Sequence, residues 1–98
     1  MDDAGLEALR DAIRHTHGLD STWIESVPVR ETFDGKVVWE GEVQVFLVSG
    51  HPRATRAYAW SHATEGERRK FYAVLGIGPV RDAASAVRVS IVAGARQL

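Results

Sequence analysis

Glu40 and Glu42 stand two residues apart in a run that alternates apolar and polar residues from Trp39 to Val45. On a strand that spacing puts both carboxylates on one face. Such a pair can divide acid and base roles, or hold a hard cation. A solvated outer face with Arg30 or Arg56 as cross-strand partner is the plainer account. No third carboxylate joins them at tight spacing, so no metal site is expected. His51 and His62 flank the segment 53–62, and imidazole is the natural proton shuttle near neutral pH. No Ser/Asp pattern surrounds either one. His51, just before Pro52, reads as a turn residue and His62 as a strand end. His15 and His17 diverge by about 200° around a helix, so they cannot chelate one ion together. They suit the negative end of a helix dipole instead.

Arg56, Tyr58, Trp60 and His62 make the most distinctive stripe: four large groups with polar tips on one strand face, with Ala57 and Ala59 on the other. Three accounts stand open. Tyr58 and Trp60 fill the core beside Trp39 and Val43. Alternatively, the stripe meets its own copy across a two-fold axis. Or it lines a small-molecule pocket or stacks single-stranded bases. Arg53, Arg56, Arg68, Arg69 and Lys70 gather nearby, but Glu65 and Glu67 interrupt them. A mixed run of this kind is a solvated loop with at most a modest, salt-sensitive grip on phosphate.

These side chains need elements to hold them. Leu6, Leu9, Ile13 and Thr16 or His17 recur at helical spacing, with Ala8 and Ala12 beside them, so residues 3–17 are a helix. Asp2 and Asp3 suit its start, and Arg14, His15 and His17 its end, with Gly18 as a left-handed stop. Residues 22–48 read as a hairpin, Thr22 to Phe33 and Lys36 to Val48, joined by Asp34-Gly35. That dipeptide suits a type I′ turn, in which both positions need positive φ. Trp23, Val27, Val29 and Phe33 share parity, as do Val37, Trp39, Gly41, Val43, Val45 and Leu47. The opposite parities hold Ser26, Pro28, Arg30, Thr32, Glu40, Glu42 and Gln44.

The turn and the pattern conflict. A two-residue turn sets Arg30 opposite Trp39 and Val29 opposite Glu40, which throws the two apolar sets onto opposite faces. Burial of one face specifies register strongly, so the turn holds an odd number of residues or a bulge shifts the pairing. Pro28 cannot donate to a ladder. The first strand is therefore expected to be an edge, or broken near Val27-Pro28.

Gly50-His51-Pro52 turns the chain into a third strand, 53–62. A charged loop, 64–69, leads to a fourth, Lys70 to Ile77, which Gly78-Pro79 ends. The segment from Asp82 to Gln97 fits a helix capped by Asp82, with Ala83, Ala84, Val87 and Ile91 inward. It also fits a strand through Val87-Arg88-Val89-Ser90-Ile91. The Ala-Ala-Ser-Ala opening and the Gly-Pro before it favour the helix. The expected fold is one α+β domain spanning 1–98. It is a two-layer sandwich of order α-β-β-β-β-α, an antiparallel four-stranded meander with two helices on one face.

Composition narrows the function. The chain has 98 residues, 45% of them hydrophobic and 26% charged, which excludes a low-complexity or disordered chain. Twelve basic and thirteen acidic residues leave a net charge of −1, unlike a strongly basic nucleic-acid binder. There is no cysteine, hence no disulfide, thiolate metal site or cysteine nucleophile. The opening Met1-Asp2-Asp3-Ala4-Gly5 lacks the basic start and apolar run of a secretory signal. No stretch is apolar enough to span a membrane. A cytoplasmic protein without cofactor is the expectation.

The phrases STWIESVPVRETFDGKVVWEGEVQVF (21–46), GHP (50–52) and AYAWS (57–61) resemble a group of small bacterial α+β proteins, some of them carried on mobile elements. The resemblance covers most of the chain, implies a compact stand-alone domain and brings no known activity. The element order also partly resembles the double-stranded-RNA-binding fold. That family grips phosphates with lysines at the start of its last helix. Here the position reads Val80-Arg81-Asp82-Ala83-Ala84, and nucleic acid is an unlikely partner.

The functional expectation is a non-enzymatic binding or interaction module, a homodimer formed through the sheet face or edge. Ile24, Phe46 and Val48 fall on the polar side, and Val89 and Val92 on the outer side of the last helix; this apolar surface motivates it. One alternative is a small-molecule enzyme with His51, His62 or Glu40 as acid or base between sheet and helices. The other is single-stranded nucleic-acid binding by Arg56, Tyr58 and Trp60. Binding candidates are thus Glu40, Glu42, Arg56, Tyr58, Trp60 and His62.

Overall fold

Leu6, Leu9 and Ile13 line one face of the first helix, and burial of that stripe is what holds it: Leu9 and Ile13 have no exposed surface. The computed structural model describes residues 3–63, 66 and 68–96. Helix α1 runs Asp3–His17. It stops where Gly18 adopts φ +70° and donates its N–H to the Arg14 carbonyl at 2.8 Å, a left-handed cap that a residue with a Cβ disfavours. Asp2, Thr64, Glu65, Glu67 and Gln97 lie outside the described residues.

Strands β1 (Asp20–Phe33), β2 (Lys36–Ser49), β3 (Arg56–Ala63) and β4 (Arg69–Leu75) follow. They form one antiparallel sheet in the order β1-β2-β3-β4, and α2 (Ala83–Arg96) closes the chain. This is an α+β fold of order α-β-β-β-β-α. The third strand begins later than its alternation suggested, because residues 53–55 complete the turn that starts at His51. The last segment is helical. Asp82 Oδ1 accepts the Ser85 N–H at 2.8 Å, while Ser85 Oγ accepts the N–H groups of Arg81 and Asp82. This reciprocal cap satisfies donors that would otherwise be orphaned at the helix start. No helix among the described residues is long and apolar enough to cross a membrane.

The hairpin conflict is resolved by bulges. Asp34 and Gly35 take φ 53° and 75°, so the turn does have two residues. Thr32 pairs with Val37, but Glu31 pairs with Trp39, leaving Val38 as an extra residue. From there Arg30 faces Glu40 and Val29 faces Gly41, which brings Val27 and Val29 onto the face of Val43 and Val45. A second extra residue, Ile24, reverses the shift, so Trp23 faces Phe46 and lies on the opposite face from Val27. β1 is an edge strand, as Pro28 requires. It is not broken there, since Pro28 pairs in register with Glu42.

The two helices lie on opposite faces, which corrects the expectation of two helices on one face. Leu9, Ile13 and Leu19 pack on Phe46, Ala57 and Ala59. Val80, Ala83, Ala86 and Val87 pack on Val29, Val43, Val45, Tyr58 and Trp60. Adjacent residues of β2 and β3 thus belong to different cores. The reason is compositional. Both parities of the central strands are apolar, so both faces must be roofed. Ala57 and Ala59 leave α1 room for close approach, while Tyr58 and Trp60 fill the space under α2.

The cap sets a pH signature. Hydrogen bonds from the Ser85 backbone and side chain hold the Asp82 carboxyl below its usual range. A depressed carboxyl stabilises the fold above its unfolded pKa and loses that contribution as pH falls through the folded value. Asp82→Ala should therefore lower stability by about 1 kcal/mol at neutral pH. Urea denaturation should show the gap to the parent closing as pH drops below about 4. An equal gap at neutral and acid pH would exclude the cap.

Candidate functional site

Glu40 and Glu42 alternate with Gln44 and Phe46, so all four point to the α1 side of the sheet. Helix α1 covers Gln44 and Phe46 and leaves the two carboxylates exposed. Glu40 is ion-paired with Arg30, its register partner across the ribbon. Both members are well exposed, so the pair contributes at most about 1 kcal/mol. Glu42 borders an open groove of about 610 Å³ whose floor holds Gln44, Ser61 and Phe71 and whose wall is Ala8 of α1. There Arg69 is tied to Ser61, its Nε and Nη2 donating to Ser61 Oγ at 3.1 and 3.0 Å. Gln44 is almost fully buried and was not singled out from the sequence. Its Oε1 accepts Trp23 Nε1–H at 2.8 Å, and its Nε2 donates to Ser26 Oγ at 3.0 Å. The Trp23 side chain crosses to this face because of the Ile24 bulge, a displacement that alternation alone does not reveal.

Arg56, Tyr58, Trp60 and His62 share the α2 side. Tyr58 and Trp60 are 4% and 2% exposed, which settles the open question about this stripe: the two rings are core. Tyr58 donates its hydroxyl to the Arg81 carbonyl at 3.2 Å. Trp60 stacks on Tyr72 with ring centres 5.2 Å apart and meets Trp39 edge to face at 6.0 Å. Trp39 reaches it by lying across Gly41, where an added Cβ would come within 3.0 Å of the indole. His62 lies 5.3 Å from the Tyr72 ring, and Lys70 Nζ sits 5.2 Å over that ring. The cleft these rings share with Val87, Ser90 and Ile91 holds only about 60 Å³. Ligand sites usually have roughly 300–1,000 Å³. Arg56 is exposed at the rim of the sheet, facing Leu47.

The acid and base candidates do not converge. Glu40 and Glu42 lie on one side of the sheet and His62 on the other. His51 is a structural residue. Its Nδ1 accepts the N–H groups of Arg53 and Ala54 at 3.0 and 2.8 Å and so closes the β2–β3 turn. A ring nitrogen of His17 lies 2.8 Å from the Ala73 carbonyl, tying the end of α1 to β4. Among the described residues no three of His, Cys, Asp and Glu are grouped to hold a metal.

The surface with the most apolar character lies elsewhere. The β1–β2 ribbon projects past the sheet, and its tip and helix α2 enclose a groove of about 590 Å³. Phe33, Val38, Ile91 and Val92 line it, with Glu31 and Arg88 paired at 2.9 Å on its rim. Phe33 is 71% exposed, Val38 48% and Val92 45%, while Val37, 51% exposed, pairs with Thr32 and points to the opposite face of the ribbon. Val92 was legible as an outward apolar residue. Phe33 was not, since its parity placed it in the core. The usable signal was the doublet Val37-Val38, which breaks alternation beside the turn. Of the residues expected to be exposed, Phe46 is fully buried under α1, and Ile24, Val48 and Val89 are partly buried.

Comparison with family models, with curated proteins and with solved structures finds no match.

The packing around Trp60 sets an energetic order among the candidates. Trp60→Ala should destabilise the fold by about 3–5 kcal/mol. Glu42→Ala should stay within about 0.5 kcal/mol. Chemical denaturation of both variants checks this. Similar small losses for the two would mean that Trp60 is not a core anchor.

Proposed function

We propose that this chain is a non-enzymatic interaction module that associates with a second copy of itself through the apolar surface formed by the hairpin tip and α2. The observation that carries the reading is the exposure of Phe33, Val38, Ile91 and Val92 around one groove. Together these four residues expose on the order of 350 Å², within the ~300–600 Å² of the largest patch on a monomer, which is often functional. Charged residues rim the patch rather than cross it, the usual arrangement of a contact surface. A net charge of −1 leaves little repulsion between copies.

The ribbon's end and the outer side of α2 are favoured over the sheet faces for this contact, since each sheet face already carries a helix. The competing readings lose support. An acid–base enzyme needs its groups in one cleft, and the sheet separates Glu40 and Glu42 from His62. Base stacking needs accessible rings, and Tyr58 and Trp60 are enclosed.

Sedimentation equilibrium should find a monomer–dimer equilibrium in the micromolar range. Val92→Asp, which places a charge in the patch, should shift it to monomer without changing the far-ultraviolet circular dichroism. A wild-type chain that stays monomeric at high micromolar concentration would falsify the reading.

A further inference from the structure

The geometry points to a binding site for an extended peptide segment of another protein, which pairs with the inner edge of β2 at Glu40–Glu42 and sets a lysine or arginine opposite Glu42. The site lies on the α1 side of the sheet, away from the apolar surface at the hairpin tip, and does not depend on self-association. Three observations carry it.

The first is a split in the sheet. β2 and β3 pair from Leu47 and Arg56 only as far as Gln44 and Ala59. Past that point β2 stays with β1 down to Lys36, and β3 stays with β4 up to Ala63. The two hairpins part, so each presents an inner edge there. The Val48 N–H donates to the Thr55 carbonyl at 3.0 Å, and backbone groups alternate in direction along a strand. Glu42 and Glu40 therefore aim their N–H and C=O groups into the split. The same alternation explains why Pro28 is tolerated opposite Glu42: the backbone groups of that pair point away from each other, so no ladder bond is lost. On the facing edge Ser61 is already covered. Arg69 Nη2 reaches its carbonyl at 3.5 Å, and Nε and Nη2 hold its Oγ. Among the described residues, Glu42 and Glu40 have no backbone partner across the split. An edge of this kind recognises extended backbone.

The second is charge. On this face Arg30 is ion-paired with Glu40, and Arg69 is held on Ser61. Glu42 is exposed and has no ion pair among the described residues. Side chains directly opposite in an antiparallel pair lie about 5 Å apart. A base at that position of the added strand therefore supplies the missing counter-charge.

The third is space, which differs on the two sides of the split. On the α1 side the groove of about 610 Å³ bordered by Glu42, Ser61, Arg69 and Phe71 is open enough for a long side chain, and its helix wall is made of Gly5 and Ala8. On the α2 side the cleft between Trp39 and Trp60 holds only about 60 Å³, and the Trp39 indole lies across Gly41. Successive side chains of a strand point to opposite faces. The recognised pattern is therefore a base flanked by small residues.

The test titrates the capped peptide Ac-Thr-Ala-Lys-Ala-Thr-NH2 into the full chain while the chain's backbone amides are followed by NMR. The amides of Glu40 and Glu42 should shift, with a dissociation constant on the order of 100 μM, in keeping with a contact far below the usual interface size. Exchanging the peptide's lysine for glutamate should weaken binding at least about tenfold, and Glu42→Lys should reverse that preference. N-methylation of the lysine backbone keeps its charge and removes the N–H that faces Glu42, so it should abolish the shifts. Circular dichroism checks that Glu42→Lys keeps the fold, and the peptide comparisons on the wild-type chain decide the matter without it. Peptides that bind alike whatever their charge overturn the site, and so does an N-methylated peptide that binds as well as its parent. A lysine peptide that leaves the Glu40 and Glu42 amides unshifted overturns it too. Self-association stands or falls separately, by sedimentation.

Discussion

The cross-strand register of the β1–β2 ribbon is the constraint on which the rest depends. A type I′ turn at Asp34-Gly35 fixes the start of the pairing, and taken alone it would put Val27 and Val29 across the sheet from Val43 and Val45. Val38 is extruded as a bulge, and the apolar sets come together. The driving force is burial: each valine side chain removed from water contributes roughly 1.5–3 kcal/mol, more than one strained bulge offsets. Ile24 then undoes the shift at the far end. As a result the ribbon presents valines to α2 in its middle and Trp23 to α1 near its base. Both the buried Gln44 network and the bare apolar tip follow from these two extra residues.

A sheet that is apolar on both sides needs two roofs. The central strands supply unequal surfaces, alanines toward α1 and large rings toward α2, and each helix matches the surface it covers. This is why Tyr58 and Trp60, the residues best suited to stacking a ligand, are committed to packing. It is also why the tandem carboxylates remain solvated. They lie on the α1 side of the ribbon's outer half, where that helix leaves them uncovered. What the ribbon's length leaves uncovered is therefore of two kinds, a charged strip carrying Glu40 and Glu42 and an apolar end carrying Phe33 and Val38.

The chemistry available to the molecule follows from that division. Histidines and carboxylates that could cooperate are held apart by the thickness of the sheet, and the two most structurally engaged histidines make local hydrogen bonds to backbone. His51 accepts two N–H groups in its turn, and His17 ties α1 to β4. Among the described residues, nothing covers the apolar end.

Much of this was legible in the residue order. Helical spacing and Gly18 set α1. The Asp34-Gly35 pair set the turn and, with the alternation, required a register shift somewhere. Pro28 made β1 an edge, and Asp82 after a Gly-Pro pair started α2. The candidate site was less legible. The pairing of Arg30 with Glu40 could be read from cross-strand logic, but not the burial of Gln44 or the exposure of Phe33. Alternation says only that neighbouring residues face opposite ways. It does not say which helix roofs which side, nor which residue a bulge will extrude. Those choices depend on how side-chain volumes far apart in sequence fit against one another, and only the folded chain brings them together.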